Sequence, residues 1–120
     1  MPGFPRDYFS GVVRQFALGA PEQYGIVSGV VTIAAGESSY IRLKSESSTT
    51  DTVDTITVTD VQIGDILFLE AFPGHTITVD DANIDLGAAT RALTDVGQML
   101  TLFYNGASWS EMAYVAGDNA

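Results

Sequence analysis

From Gly25 onward, apolar and polar residues alternate with a period of two, the pattern of strands that bury one face. Gly25-Ile26-Val27-Ser28-Gly29-Val30-Val31-Thr32-Ile33 is a β-branched run punctuated by Ala34-Ala35-Gly36. Tyr40-Ile41-Arg42-Leu43-Lys44 alternates with Ile41 and Leu43 on one face. A polar loop of Ser, Thr, Glu and Asp is predicted from Ser45 to Thr52. Further strands are predicted at Thr55–Thr59, Asp65–Phe72, Thr76–Val79, Ile84–Leu86, Met99–Tyr104 and Trp109–Tyr114. Short strands separated by Gly, Asp, Asn and Pro imply an all-β domain, a compact β-sandwich or barrel of jelly-roll type. The ladder from Thr55 to Leu86 recurs at intervals of about ten residues, which leaves a short β-helix-like solenoid as the alternative. Alternation places Ile56, Val58, Ile66, Phe68, Ile77, Val79, Leu100, Leu102 and Trp109 in one core or subunit interface.

Within this region one phrase occurs twice. Gly64-Asp65-Ile66-Leu67-Phe68-Leu69 and Gly97-Gln98-Met99-Leu100-Thr101-Leu102 each follow a branched residue and run towards a turn. The second ends in Tyr104-Asn105-Gly106-Ala107-Ser108-Trp109-Ser110-Glu111, which predicts a hairpin closed by a Trp-bearing strand.

Residues 1–24 differ. They hold Pro2, Pro5 and Pro21, and Tyr8, Phe9, Val12, Val13, Phe16 and Ala17 recur at helical spacing. Gly19 and Pro21 would end such a helix, and Gly11 weakens it by about 1 kcal/mol. The chain therefore divides into an N-terminal docking arm, 1–24, extended or partly helical within 7–18, and a β-domain, 25–120. The stripe either docks on a partner or packs on the chain's own β-core.

Charge sharpens this division. Residues 1–44 carry four cations (Arg6, Arg14, Arg42, Lys44) against Asp7, Glu22 and Glu37, whereas residues 45–120 carry twelve carboxylates against Arg91 alone. The formal net charge of −10 disfavours nucleic acid as a partner. At 120 residues and 46% hydrophobic, the chain can bury a core without staples. It has no cysteine, hence no disulfide framework and no thiolate chemistry. No apolar run approaches the ~20 residues of a membrane span, and no secretory signal is recognisable.

Candidate chemistry is sparse. Asp81-Ala82-Asn83-Ile84-Asp85-Leu86-Gly87 spaces oxygen ligands like a calcium loop, but Gly87 is one place late and Ala92 stands where a bidentate Glu is required. Alternation accounts for the same residues without metal. His75, the single histidine, follows Pro73-Gly74 and is expected to be a turn residue. Glu70 interrupts an apolar strand, sharing a face with Phe68 and Phe72; partial exposure or an intersubunit partner is expected for it. Tyr104, Trp109 and Tyr114 offer a possible sugar-stacking platform. No catalytic residue, cofactor or metal site is predicted, and the chain is expected not to be an enzyme.

Gly64-Asp65-Ile66-Leu67-Phe68-Leu69 together with Leu102-Phe103-Tyr104-Asn105-Gly106-Ala107-Ser108-Trp109-Ser110-Glu111 resembles modules of tailed-phage virion proteins, found in tail fibres and capsid decorations. The resemblance covers about fifty residues, with Phe103 loosening the spacing of the closing strand, and leaves residues 1–24 unaddressed. It implies a non-enzymatic capsid decoration, or cement, protein, made in the host cytoplasm and placed on the capsid surface. The implied partners are the major capsid protein and sister copies in a homotrimer, with neither nucleic acid nor membrane. Phe4, Arg6, Tyr8, Phe9, Val12, Val13, Arg14 and Phe16 of the arm are then the expected capsid or subunit contacts. A tail-fibre or adhesion module binding host glycans through Tyr104 and Trp109 is the alternative.

Overall fold

The period-two segments wind into stacked coils rather than folding back as successive hairpins. In a computed structural model describing residues 18–94 and 97–116, eleven strands and no helix occur among the described residues. They are β1 (Glu22–Gly25), β2 (Val30–Ile33), β3 (Tyr40–Lys44), β4 (Thr50–Val53), β5 (Thr55–Val58), β6 (Ile66–Ala71), β7 (Thr76–Asp80), β8 (Ile84–Asp85), β9 (Thr90–Leu93), β10 (Met99–Tyr104) and β11 (Trp109–Val115). Of the predicted helical stretch 7–18, all but residue 18 lies outside the described residues.

Three parallel ladders define the winding: β1 on β3 on β6, β2 on β5, and β4 on β7. One full coil is β3–β4–β5, the next is β6–β7–β8, and β1–β2 is a partial coil before them. The third side continues into β8, where the Asn83 amide N–H donates to the Asp54 carbonyl at 3.1 Å and its side chain donates to the Thr55 hydroxyl at 2.8 Å. The chain then reverses. β9 lies antiparallel on β7 and β10 antiparallel on β6, while β11 returns along β10 to meet β8 in parallel. The all-β class is as expected, and the parallel ladders give it the solenoid form named as the alternative.

In-register parallel stacking sets each inward side chain over another inward side chain. Ile41 lies beside Leu69, Val31 beside Ile56 and Val53 beside Val79. The reversed strands extend the rows: Leu69 meets Leu100, Leu67 meets Leu102, and Ile77 meets Leu93. Ile41, Leu69, Ile77, Leu100 and Leu102 are wholly inaccessible, and each such burial is worth about 1.5–3 kcal/mol.

Local chemistry sets the corners. Ser28 and Gly29, both left-handed (φ 50° and 80°), form a two-residue turn in which Val27 and Val30 exchange backbone hydrogen bonds of 2.9 and 3.0 Å, the geometry favoured in tight hairpins. This turn divides the apparently continuous run Gly25–Ile33 into β1 and β2. Gly64 and Gly97, at the head of the two copies of the repeated phrase, also have positive φ (95° and 103°). The strands they introduce, β6 and β10, are antiparallel neighbours in one sheet.

Four expectations are corrected. Ile66 and Phe68 face outward, and Leu67 and Leu69 fill the core instead. Ile66-Leu67-Phe68-Leu69 is apolar in both phases, so alternation could not choose; register with β3 does, since Ile41 sits beside Leu69 and Arg42 beside Glu70. Val58 is half-buried against the core rather than within it. β4 begins inside the predicted loop 45–52, and β1 takes up residues 22–24 of the predicted arm.

Replacing Leu69 by Ala should therefore lower unfolding stability by roughly 2–5 kcal/mol. Phe68→Ala should cost much less in the same urea titration, reversing the order implied by the larger side chain.

Candidate interaction surface

The three sides of the solenoid present different outer faces. On the β4–β7–β9 sheet, Thr50 lies beside Thr76 and Thr52 beside Thr78; on β2–β5, Thr32 lies beside Thr57. These are polar, hydrated ladders. The six-stranded sheet, ordered β1-β3-β6-β10-β11-β8, is different. Because Leu67, Leu69, Leu100 and Leu102 point inward, their neighbours Ile66, Phe68, Met99 and Phe103 point outward. Ile66 lies beside Phe103, Phe68 beside Thr101, and Met99 beside Val115. A register shift between Thr101 and Leu102 accommodates an additional residue in β11, and Met112 and Val115 stand 50% and 55% exposed. Apolar side chains thus cross β6, β10 and β11 on this face, while Val27 and Ile63, 63% and 77% exposed, stand apart in turns.

A polar cluster borders it on β3. Arg42 and Glu70, cross-strand partners, form an ion pair with Arg42 Nη2 2.7 Å from Glu70 Oε2, and Arg42 Nε donates to the same oxygen at 2.8 Å. The Tyr40 hydroxyl donates to Glu70 Oε1 at 2.8 Å. That hydrogen bond, then burial and the carboxylate's charge, hold the Tyr40 phenol above its usual range. Glu70 is thus partly exposed and has a partner in its own chain. Lys44 lies over the Phe72 ring at 5.2 Å. Two of the three cations among the described residues therefore sit on this face, beside apolar and aromatic groups, a composition typical of protein interfaces.

Elsewhere titratable groups join strands. Arg91 on β9 makes a two-pronged pair with Glu111 on β11, both contacts 2.9 Å, and lies 4.7 Å from the centre of the Tyr114 ring. The Gly87 N–H also donates to Glu111. The Arg91 hydrogen bond, against some opposing burial, holds the Glu111 carboxyl below its usual range. At the other end, the Glu22 carboxyl is raised by a hydrogen bond with Glu37 and by that group's charge. A crevice of about 220 Å³ opens between the turns at residues 34–39 and 60–65, lined among others by Glu37, Asp60, Asp65 and Trp109. Asp60 and Asp65 accept backbone N–H groups of Gly36 and Gln62.

The remaining candidates take structural places. His75 sits in a turn, its N–H donating to the Phe72 carbonyl while Nδ1 accepts from the Ser45 N–H. In the loop with calcium-like spacing, Asp81 accepts from the Leu86 N–H and Asp85 from the Ser108 hydroxyl. No group of three or more potential ligands is assembled for a metal among the described residues. Trp109 is 3% exposed, packed 5.3 Å from Tyr104, so its faces are not open for a sugar to stack upon. Tyr114 instead packs on the core and donates to the Ala92 carbonyl at 2.7 Å. The expected contacts Phe4, Arg6, Tyr8, Phe9, Val12, Val13, Arg14 and Phe16 lie outside the described residues. Sequence alternation does not reveal this face, because it assigns Ile66 and Phe68 of β6 to the core; the doubly apolar run of β6 is its signal. No family model, curated protein or solved structure matches the chain.

Because the Glu111 carboxyl is depressed in the folded state, its contribution to stability is complete above the ordinary carboxylate range. It is lost as pH falls through the lower folded value. Thermal melting of Glu111→Gln should start below wild type at pH 7, and the gap should narrow as the solution is acidified towards pH 3.

Proposed function

We propose that this chain is a non-enzymatic structural protein of a tailed-phage virion, a decoration protein that binds the outer capsid surface and stabilises the lattice. The observation that carries this reading is the asymmetry of the solenoid. One side bears an exposed apolar face with Arg42 and Lys44, while the other sides carry threonine ladders. Such a body is suited to adhesion by one face while presenting hydrated, acidic surface elsewhere. The ionisable pairs Arg91–Glu111 and Arg42–Glu70 tie strands together, a role consistent with a load-carrying module.

The arm would act as the docking element. Each apolar side chain it buries against the major capsid protein, or against a sister copy of a homotrimer, would contribute about 1.5–3 kcal/mol before ordering costs. Repetition over a symmetric shell multiplies weak contacts. Placement on the capsid after synthesis in the host cytoplasm follows from the same reading, with neither nucleic acid nor membrane as a partner.

Purified full-length protein should rebind capsids that lack it and raise their resistance to heat. A chain without residues 1–18 should remain folded and fail to rebind, scored by co-sedimentation. If neither form binds capsids and the body binds host cells or glycans, the tail-fibre reading replaces this one.

A further inference from the structure

We infer that the crevice between the turns at residues 34–39 and 60–65 binds a small hydroxylated amine, an ammonium group carried on a body with hydroxyls. Those turns join β2 to β3 and β5 to β6, so the crevice lies between corresponding corners of successive coils. Glu37, Asp60 and Asp65 line it, and no Arg, Lys or His does. Leu67 and Trp109, core residues 4% and 3% exposed, line it too, with half-buried Val58 beside them. A few placed polar groups over an apolar base are the usual form of a small-ligand site.

The carboxylates set the charge of the ligand. Asp60 Oδ2 accepts the Gly36 N–H at 3.2 Å, and Asp65 Oδ2 accepts the Gln62 N–H at 2.9 Å. Each carboxylate is thus held by one oxygen, and its Oδ1 carries no hydrogen bond within the protein. No three potential ligand groups among the described residues are placed to hold one metal ion. The carboxylates therefore suit separate donors on an extended molecule, and an ammonium group supplies three donors with a matching charge.

Trp109 sets the second requirement. Its indole N–H, the one polar group of that side chain, makes no hydrogen bond among the described residues. No enclosed side-chain nitrogen or oxygen among those residues lacks a partner, so this nitrogen belongs to the small part of Trp109 that stays open. The crevice is the opening that Trp109 lines. A donor in so enclosed a place is costly to leave unmatched. It calls for an acceptor oxygen, which a hydroxylated amine carries and a plain alkylamine lacks. The volume of about 220 Å³ admits a molecule the size of one amino sugar, held by the edge of the indole rather than stacked on its faces.

This inference does not rest on the capsid reading and is tested on the purified protein. Trp109 is the single tryptophan, so its fluorescence and its indole N–H resonance report on the crevice. Glucosamine is titrated into the millimolar range at constant ionic strength and about pH 6, where amine and carboxylates are both charged. Both signals should shift saturably. Glucose and N-acetylglucosamine, which lack the charge, and propylamine, which lacks the hydroxyls, should each bind at least about tenfold more weakly. Asp60→Asn and Asp65→Asn keep an acceptor for the backbone N–H, and each should weaken glucosamine binding about tenfold through loss of a charge-assisted contact. Asp81→Asn removes a carboxylate outside the crevice and should leave the affinity unchanged. Absence of a saturable shift, equal binding of the four compounds, or the same affinity in all three variants would overturn the inference.

Discussion

The structure depends on the contact between inward aliphatic side chains in successive parallel coils. A parallel ladder places like positions side by side, so Ile41 over Leu69, Val31 over Ile56 and Val53 over Val79 form continuous apolar rows without any single large hydrophobic centre. Each coil supplies one layer of these rows. Each layer is stable only when its neighbours cover it, as in other stacked architectures. The turns, the ion pairs and the outer faces are all arranged around this condition.

Closure follows from it. A stack of parallel coils ends in exposed strand edges, which invite uncontrolled pairing. Here β9 and β10 reverse direction to cover β7 and β6, and β11 then meets β8, where Ile84 lies beside Trp109. Trp109 and the Arg91–Glu111 pair thereby serve the same closing unit, one through packing and the other through charge-assisted hydrogen bonds. The aromatic-rich end of the chain, which invites comparison with a sugar platform, is used to finish the core.

Most strands were legible because their apolar positions alternate unambiguously. Ile41 and Leu43, Ile77 and Val79, and Leu100 and Leu102 are buried in the phase that the sequence assigns. Legibility fails where both phases are apolar, as in Ile66-Leu67-Phe68-Leu69, and where a polar strand reads as a loop, as in Thr50–Val53. In both cases partner strands decide: β3 selects the phase of β6, and β7 draws β4 into a ladder. Parallel pairing has no local signal at all, because partners stand 19 to 28 positions apart, as with Glu22 and Ile41 or Tyr40 and Phe68. The interaction face shared this obscurity, since seeing it required knowing that Phe68 points outward. Its polar border was partly visible in Glu70, whose partners Arg42 and Tyr40 come from a strand 28 residues away.

Interstrand nuclear Overhauser contacts in the isotope-labelled protein test the parallel stack most directly. The account predicts amide and α-proton contacts joining Thr52 to the neighbourhood of Thr78, and Thr32 to that of Thr57, in the staggered pattern of parallel strands. Ile41 and Leu69 methyl groups should be in direct contact. Close α-proton pairs of the antiparallel kind between β4 and β7, or between β2 and β5, would contradict the solenoid and the assignment of outer faces that follows from it.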